Sequence, residues 1–197
     1  MQSNVSTTHN TKLSTRQLAI VGMLSAISMI LGMTPLGFIQ LPFMSATIMH
    51  IPVIIGAILE GPVVGALVGL IFGVFSLIRA FSNPTLTSFL FMNPIISILP
   101  RILIGVGTYY IYKVVKLKIT NVRIGIASVI GSFINTFGVL GISYLLYGDK
   151  LAEVMKISKT AVGVTFLTTA GTNGVAEAII SALVTIPVVV ALRRILK

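Results

Sequence analysis

The sequence predicts an all-α integral membrane protein built as a bundle of six transmembrane helices, and three observations predict it. Of 197 residues, 55% are hydrophobic and 9% charged, with a mean hydropathy of +1.05, whereas a soluble domain carries roughly 25% Asp, Glu, Lys and Arg. The apolar residues gather in runs long enough to cross a bilayer, which takes about 20 residues per helix. The formal charge of +10 comes from bases placed at the ends of those runs, where they orient a chain in a membrane. Nucleic-acid binding, the usual reading of such a charge in a soluble chain, is therefore not expected.

Residues 1–15 are polar and rich in Ser, Thr and Asn, and are expected to form a disordered cytoplasmic tail ahead of a single membrane domain over 16–197. The first span, 17–33, follows Lys12 and Arg16 and imitates the apolar region of a signal peptide. The apolar runs that follow favour a retained helix. The second span, 45–59, is short and ends at Glu60-Gly61-Pro62, a turn signal that folds it into a hairpin with the third, 62–78. The fourth and fifth spans cover 94–115 and 124–147. The sixth, 162–192, is longer than a bilayer requires and holds Pro187, so a tilt or kink is expected.

With both termini inside, nine of the 14 bases fall on the cytoplasmic side: Lys12, Arg16, Lys113, Lys116, Lys118, Arg123, Arg193, Arg194 and Lys197. This asymmetry follows the positive-inside rule for a multi-pass protein of the cell membrane. The outer connections are 34–44, uncharged with two prolines, Phe38 and Phe43; 79–93, with Asn83-Pro84; and 148–161, a charged stretch expected as a solvated surface helix. An apolar loop facing water is either a lid over a ligand or a plug packed on the helix ends. Both readings stand at this level.

Enzymatic signatures are missing. The chain has no cysteine, only His9 and His50, and no GxxxxGK[ST], HExxH or GxSxG motif. No catalytic residue, metal or cofactor is expected, and any ATP-driven step needs other subunits. Two stripes of small residues mark close helix packing: Gly61, Gly65, Gly69 and Gly73 in the third span, and Ala19, Gly22, Ser25, Ala26 and Gly32 in the first, with Gly22 and Ala26 at GxxxA spacing. The first stripe fits packing within the protein. The second fits an intermolecular contact, since the N-terminal helix of a small bundle often lies at its edge.

Ionisable residues inside a membrane are functional candidates because isolated charge there is costly. Arg101 and Glu177 qualify. They form an ion pair between helices, or Arg101 meets a ligand carboxylate or phosphate as a bidentate donor, with Asn135, Thr172 and Asn173 adding neutral hydrogen bonds. His50, ahead of Ile51-Pro52, reads as a packed, hydrogen-bonded histidine or a ligand contact.

These features together, above all the run ATIMHIPVIIGAILEGPVVGALVGLIFGVFSLI, resemble the substrate-binding S components of energy-coupling factor (ECF) vitamin transporters over nearly all of 16–197. The segment NPTLTSFLF, 83–91, adds a likeness to the pantothenate-specific members. The resemblance implies a high-affinity vitamin-binding subunit that works with a transmembrane coupling subunit and two cytoplasmic ATPases. It implies a ligand site formed by the first and third outer loops and the outer halves of the last three helices. Those regions hold Phe38, Gln40, Asn83, Asn93, Arg101, Asn135, Thr172 and Asn173. The family's first helix carries an AxxxA-like pattern facing the coupling subunit; here Gly22 and Ala26 match it in size, while Ala19 is followed four residues later by Met23. Alternatives are an S component for riboflavin, folate, cobalamin or a pyridoxine-type vitamin, a self-sufficient ion-coupled transporter using Glu177, and a structural subunit without ligand.

Overall fold

The structure is a computed structural model that describes residues 13–40, 45–84 and 87–195. The expected tail lies outside the described residues except at its end. There Ser14 and Gln17 form a reciprocal cap, each side chain bonded to the other's backbone N–H, and start α1 (Thr15–Met33).

Next come two short antiparallel strands, β1 (Phe38–Gln40) and β2 (Ser45–Thr47), with Phe38 opposite Thr47 and Gln40 opposite Ser45. The helices that follow are α2 (Ile51–Glu60), α3 (Pro62–Ser82), the single turn α4 (Ser88–Phe91), α5 (Pro94–Val114), α6 (Thr120–Met155), α7 (Lys159–Thr169) and α8 (Val175–Ile195). A π-helical turn, Ala170–Gly174, joins α7 to α8, so that residues 159–195 make one long rod. Among the described residues, five rods are long and apolar enough to cross a membrane, and α2 is a shorter sixth.

The second span is where the fold departs most from expectation. Residues 45–47 are strand, and the helix holds only 10 residues, or about 15 Å at 1.5 Å per residue, half of the roughly 30 Å hydrocarbon core. Such a helix can sit in a membrane only if neighbours enclose it. Every residue from Ile51 to Ile58 is buried. Ile51, Ile54, Ile55 and Ile58 pack on Val21 and Leu24 of α1, Val64, Val68 and Phe72 of α3, Ile104 of α5, Ile124 of α6 and Val189 of α8. The Glu60-Gly61-Pro62 signal works as expected: Gly61 takes φ +99°, a left-handed value open to glycine, and Pro62 begins α3.

Polar contacts set the ends of the bundle. Arg16 Nη2 meets Glu60 Oε1 at 2.8 Å, tying the start of α1 to the α2–α3 turn. Arg193 donates to the Ile58 carbonyl and, at 2.7 Å, to the Tyr112 hydroxyl, while Arg123 donates to the Tyr112 carbonyl. The first and last described helix ends therefore share one end of the bundle with the α2–α3 and α5–α6 connections. α6 continues past the expected end of its span through a break at Tyr147 (φ −131°, ψ 16°) to Met155, so the charged 148–155 stretch extends that rod. The last rod continues helically through Pro187, and its departure from α geometry falls at Ala170–Gly174.

Of the four glycines of the expected stripe, Gly65, Gly69 and Gly73 pack inside the protein, against α5 and α2, whereas Gly61 is the turn residue ahead of α3 and a Cβ there would meet nothing within 4 Å. A Cβ at Gly65 would press on Ala57 and Gly105, one at Gly69 on the Arg101 carbonyl, and one at Gly73 on the Ile98 backbone. The small residues of α1 divide between two faces: Ala19, Gly22 and Ala26 are exposed, whereas Ser25 and Gly32 are buried with Val21, Leu24 and Ser28.

Candidate functional site

The close approach of α3 and α5 carries Arg101 into the interior, where it is 6% exposed. Its position follows from its neighbour. Pro100 lacks the N–H that would bond to the Ile96 carbonyl one turn earlier, and Arg101 Nη1 donates to that same oxygen at 2.9 Å. The guanidinium is further held by aromatic rings, with its carbon 5.4 Å from the Phe72 centroid and 5.5 Å from that of Phe91. Its Nε is buried without a protein partner.

Glu177 enters from α8, just after the π turn. Such a turn inserts an extra residue into a helix and re-aims the side chains around it. The Thr47 N–H and hydroxyl donate to Glu177 Oε1 at 2.7 and 3.1 Å, and the Thr136 hydroxyl faces Oε2 at 3.2 Å. The end of β2 is thus tied to the membrane bundle through a carboxylate 130 residues away in sequence. The expected alternative of an Arg101–Glu177 ion pair is not what forms, since both side chains take the partners just named.

Between these groups lies a cavity of about 420 Å³, inside the usual range for a small-molecule site. It runs from Arg79, Asn83 and Ser88, at the end away from the Arg193 cluster, down past Ser76 and Phe72 to Arg101. Thr47, Thr136, Asn135, Thr169, Asn173 and Glu177 form the facing wall. Asn135 Oδ1 and Asn173 Nδ2 are buried without protein partners. Orphaned polar atoms of this kind are costly unless a ligand or water completes them.

Four of the eight residues expected at a ligand site line this cavity: Asn83, Arg101, Asn135 and Asn173. Asn93 does not. Its Oδ1 caps α5 by accepting from the Ile95 N–H at 2.9 Å, and its Nδ2 donates to the Tyr147 hydroxyl. Thr172 is exposed and bonds back to the Thr168 carbonyl at 2.9 Å, the ordinary behaviour of a hydroxyl within a helix. Phe38 and Gln40 have their backbones in β1, and their side chains lie outside the described part of the structure.

Sequence reasoning missed Thr47, Phe72, Phe91 and Thr136. A polar residue in an apolar run was signal enough for Thr136, whereas aromatics inside spans carry no mark that separates cavity wall from core. His50 is fully buried at the start of α2, with neither ring nitrogen bonded, and does not line the cavity. Among the described residues no cluster of His, Cys, Asp or Glu suits a metal ion. A second cavity, about 450 Å³ between α6 and α7, is walled by Phe137, Leu140, Tyr144, Val164, Phe166 and Leu167, and offers almost nothing to orient a polar ligand.

Residues 16–189 match the family described as the substrate-specific component of the ECF transporter. The chain is an ECF transporter S component. It is also 32% identical to the pantothenic acid transporter PanT of Lactococcus lactis subsp. cremoris (strain MG1363), over 75% of this chain and 78% of that protein. As an S component it is a multi-pass membrane protein of a transport system, and its nearly all-helical bundle, with one half-length helix, is the form the membrane-spanning pattern required.

Proposed function

We propose that this S component binds pantothenate in the cavity between α3, α5, α6 and α8 and delivers it to an importer. Its partners there are a transmembrane coupling subunit and two cytoplasmic ATPases. The observation that carries this reading is the buried Arg101, clasped by Phe72 and Phe91 with Nε unmatched. A cation held that way suits an anionic ligand, and pantothenate carries a carboxylate. The similarity to PanT supports the choice of vitamin.

The cavity faces outward, and both termini lie in the cytoplasm, because Arg16, Lys113, Lys116, Lys118, Arg123, Arg193 and Arg194 belong to the opposite end or its connections. A cysteine placed at Lys118 should react with an impermeant reagent only from inside. The Ala19, Gly22 and Ala26 face of α1 docks the coupling subunit, supported by its exposure and by the small size of its residues.

Titration calorimetry on the detergent-solubilised chain tests the ligand. Arg101→Ala removes a charge-assisted hydrogen bond worth about 1.5–3 kcal/mol, so pantothenate affinity should fall at least roughly tenfold. Equal binding of pantothenate and its neutral amide by the native chain would exclude the carboxylate contact.

A further inference from the structure

Glu177 is the buried acid of the cavity wall, and its hydrogen bonds leave it incomplete. Each carboxylate oxygen has room for two donors. Oε1 has two, the N–H and hydroxyl of Thr47. Oε2 has only the Thr136 hydroxyl at 3.2 Å, and the single proton of that hydroxyl also lies within reach of the Ser132 carbonyl at 3.3 Å. An acceptor position on Oε2 therefore stays open beside the cavity. A carboxylate accepts and cannot donate, while Arg101 donates and cannot accept. The two walls accordingly demand opposite chemistry from a single ligand. Asn135 Oδ1 and Asn173 Nδ2, both unpartnered, bring one acceptor and one donor to the same cavity.

We propose that Glu177 is a specificity-determining residue that accepts a hydrogen bond from a ligand hydroxyl, so that the ligand lies with its anionic end at Arg101 and its hydroxyl end at the α6–α8 wall. The proposal rests on the reading that this cavity binds pantothenate. That molecule has a carboxylate at one end, two hydroxyls at the other and an amide between them, so it carries a group for the donor Arg101, the acceptor Glu177 and the unpartnered asparagine atoms that line the same cavity. The same carboxylate holds Thr47, so the residue that reads the hydroxyl end also anchors the segment after β2 beside it. A ligand with an anionic group but no hydroxyl would satisfy Arg101 and leave Oε2 unmet.

The test compares pantothenate with an analogue in which both hydroxyls are replaced by hydrogen, titrated into the native chain and into Glu177→Gln. The native chain should prefer pantothenate by at least tenfold. In Glu177→Gln, pantothenate should weaken at least tenfold while the deoxy analogue changes by less than threefold, so the preference collapses. A native preference below threefold overturns the proposal and needs no variant, which keeps the test valid even if the substitution harms folding. Equal weakening of both compounds in Glu177→Gln also overturns it, because a residue that only holds the Thr47 segment would affect both alike. If the native chain binds the deoxy analogue and pantothenate equally well, Glu177 is wrong and the pantothenate reading stands. If it binds neither, both fall.

Discussion

Two helices carry stripes of small residues at three- or four-residue spacing, and the structure uses them in opposite ways. On α3, Gly65, Gly69 and Gly73 are pressed against α5, where any Cβ would meet backbone or buried side chain. On α1, Ala19, Gly22 and Ala26 face outward beside Met23 and Ile30, 53% and 59% exposed, and a Cβ at Gly22 would meet no atom within 4 Å. A small-residue stripe states how near another backbone comes. It does not state whose backbone that is. In this fold the difference traces to α2. Because α2 is half-length and enclosed on every side, α3 and α5 close over it, while α1 contributes one buried face and leaves the other open.

The sharpest way to break this contrast is to add bulk to the inward stripe. Gly69→Val would drive a branched side chain into the Arg101 carbonyl. Overpacking costs about 1–3 kcal/mol, with rigid backbone at the upper end, and a displaced Arg101 should lose the ligand as well. The expected result is a large drop in folded yield and in thermal midpoint, followed in detergent by size-exclusion profile and melting. A variant that melts normally would mean that α3 and α5 sit farther apart than the structure shows.

Bulk on the outward stripe should leave the fold alone and act on assembly. Gly22→Leu with Ala26→Leu is expected to keep pantothenate affinity within about threefold, under 1 kcal/mol, while abolishing co-purification with the coupling subunit and ATP-dependent uptake. Normal transport by the double variant moves the docking face off this part of α1. Lost ligand binding would show that this face packs inside the protein after all.

The smallest change sharpens the same comparison with the opposite sign. Gly22→Ala adds one methyl group into open space and restores helix propensity, worth up to about 1 kcal/mol. It should raise the thermal midpoint by about 1–3 °C. Gly73→Ala, with the Ile98 backbone in its way, should lower it. If both shifts have the same sign, the two stripes do not differ in the way the structure implies.

Much of the fold was legible because a membrane constrains sequence strongly. Long apolar runs, the Glu60-Gly61-Pro62 turn and the grouping of bases follow from the cost of leaving backbone polar groups or charge in hydrocarbon, a cost each segment meets locally. Arg101, Asn135 and Asn173 stood out for the same reason, as polar groups where none is tolerated without purpose. The β1–β2 pair was not legible. Its strands are three residues each, too short for a period; β1 falls within the uncharged outer connection, and β2 runs straight into the apolar residues from Ile48 and so reads as the start of the second span.

The sequence by itself determined that this chain lies in a membrane, where its long apolar helices fall, and which buried polar residues needed an explanation. Only the tertiary structure decided what those residues meet. It placed Arg101 on the carbonyl freed by Pro100 rather than on Glu177. It gave Glu177 to Thr47 and Thr136, took Asn93 for a helix cap, and turned one glycine stripe inward and the other small-residue stripe outward. The physical reason is that burial cost is a property of one residue in one medium, readable along the chain, whereas a hydrogen-bond partner or a packing neighbour is a property of two segments, and their meeting is set by how all the helices close around the short one at the centre.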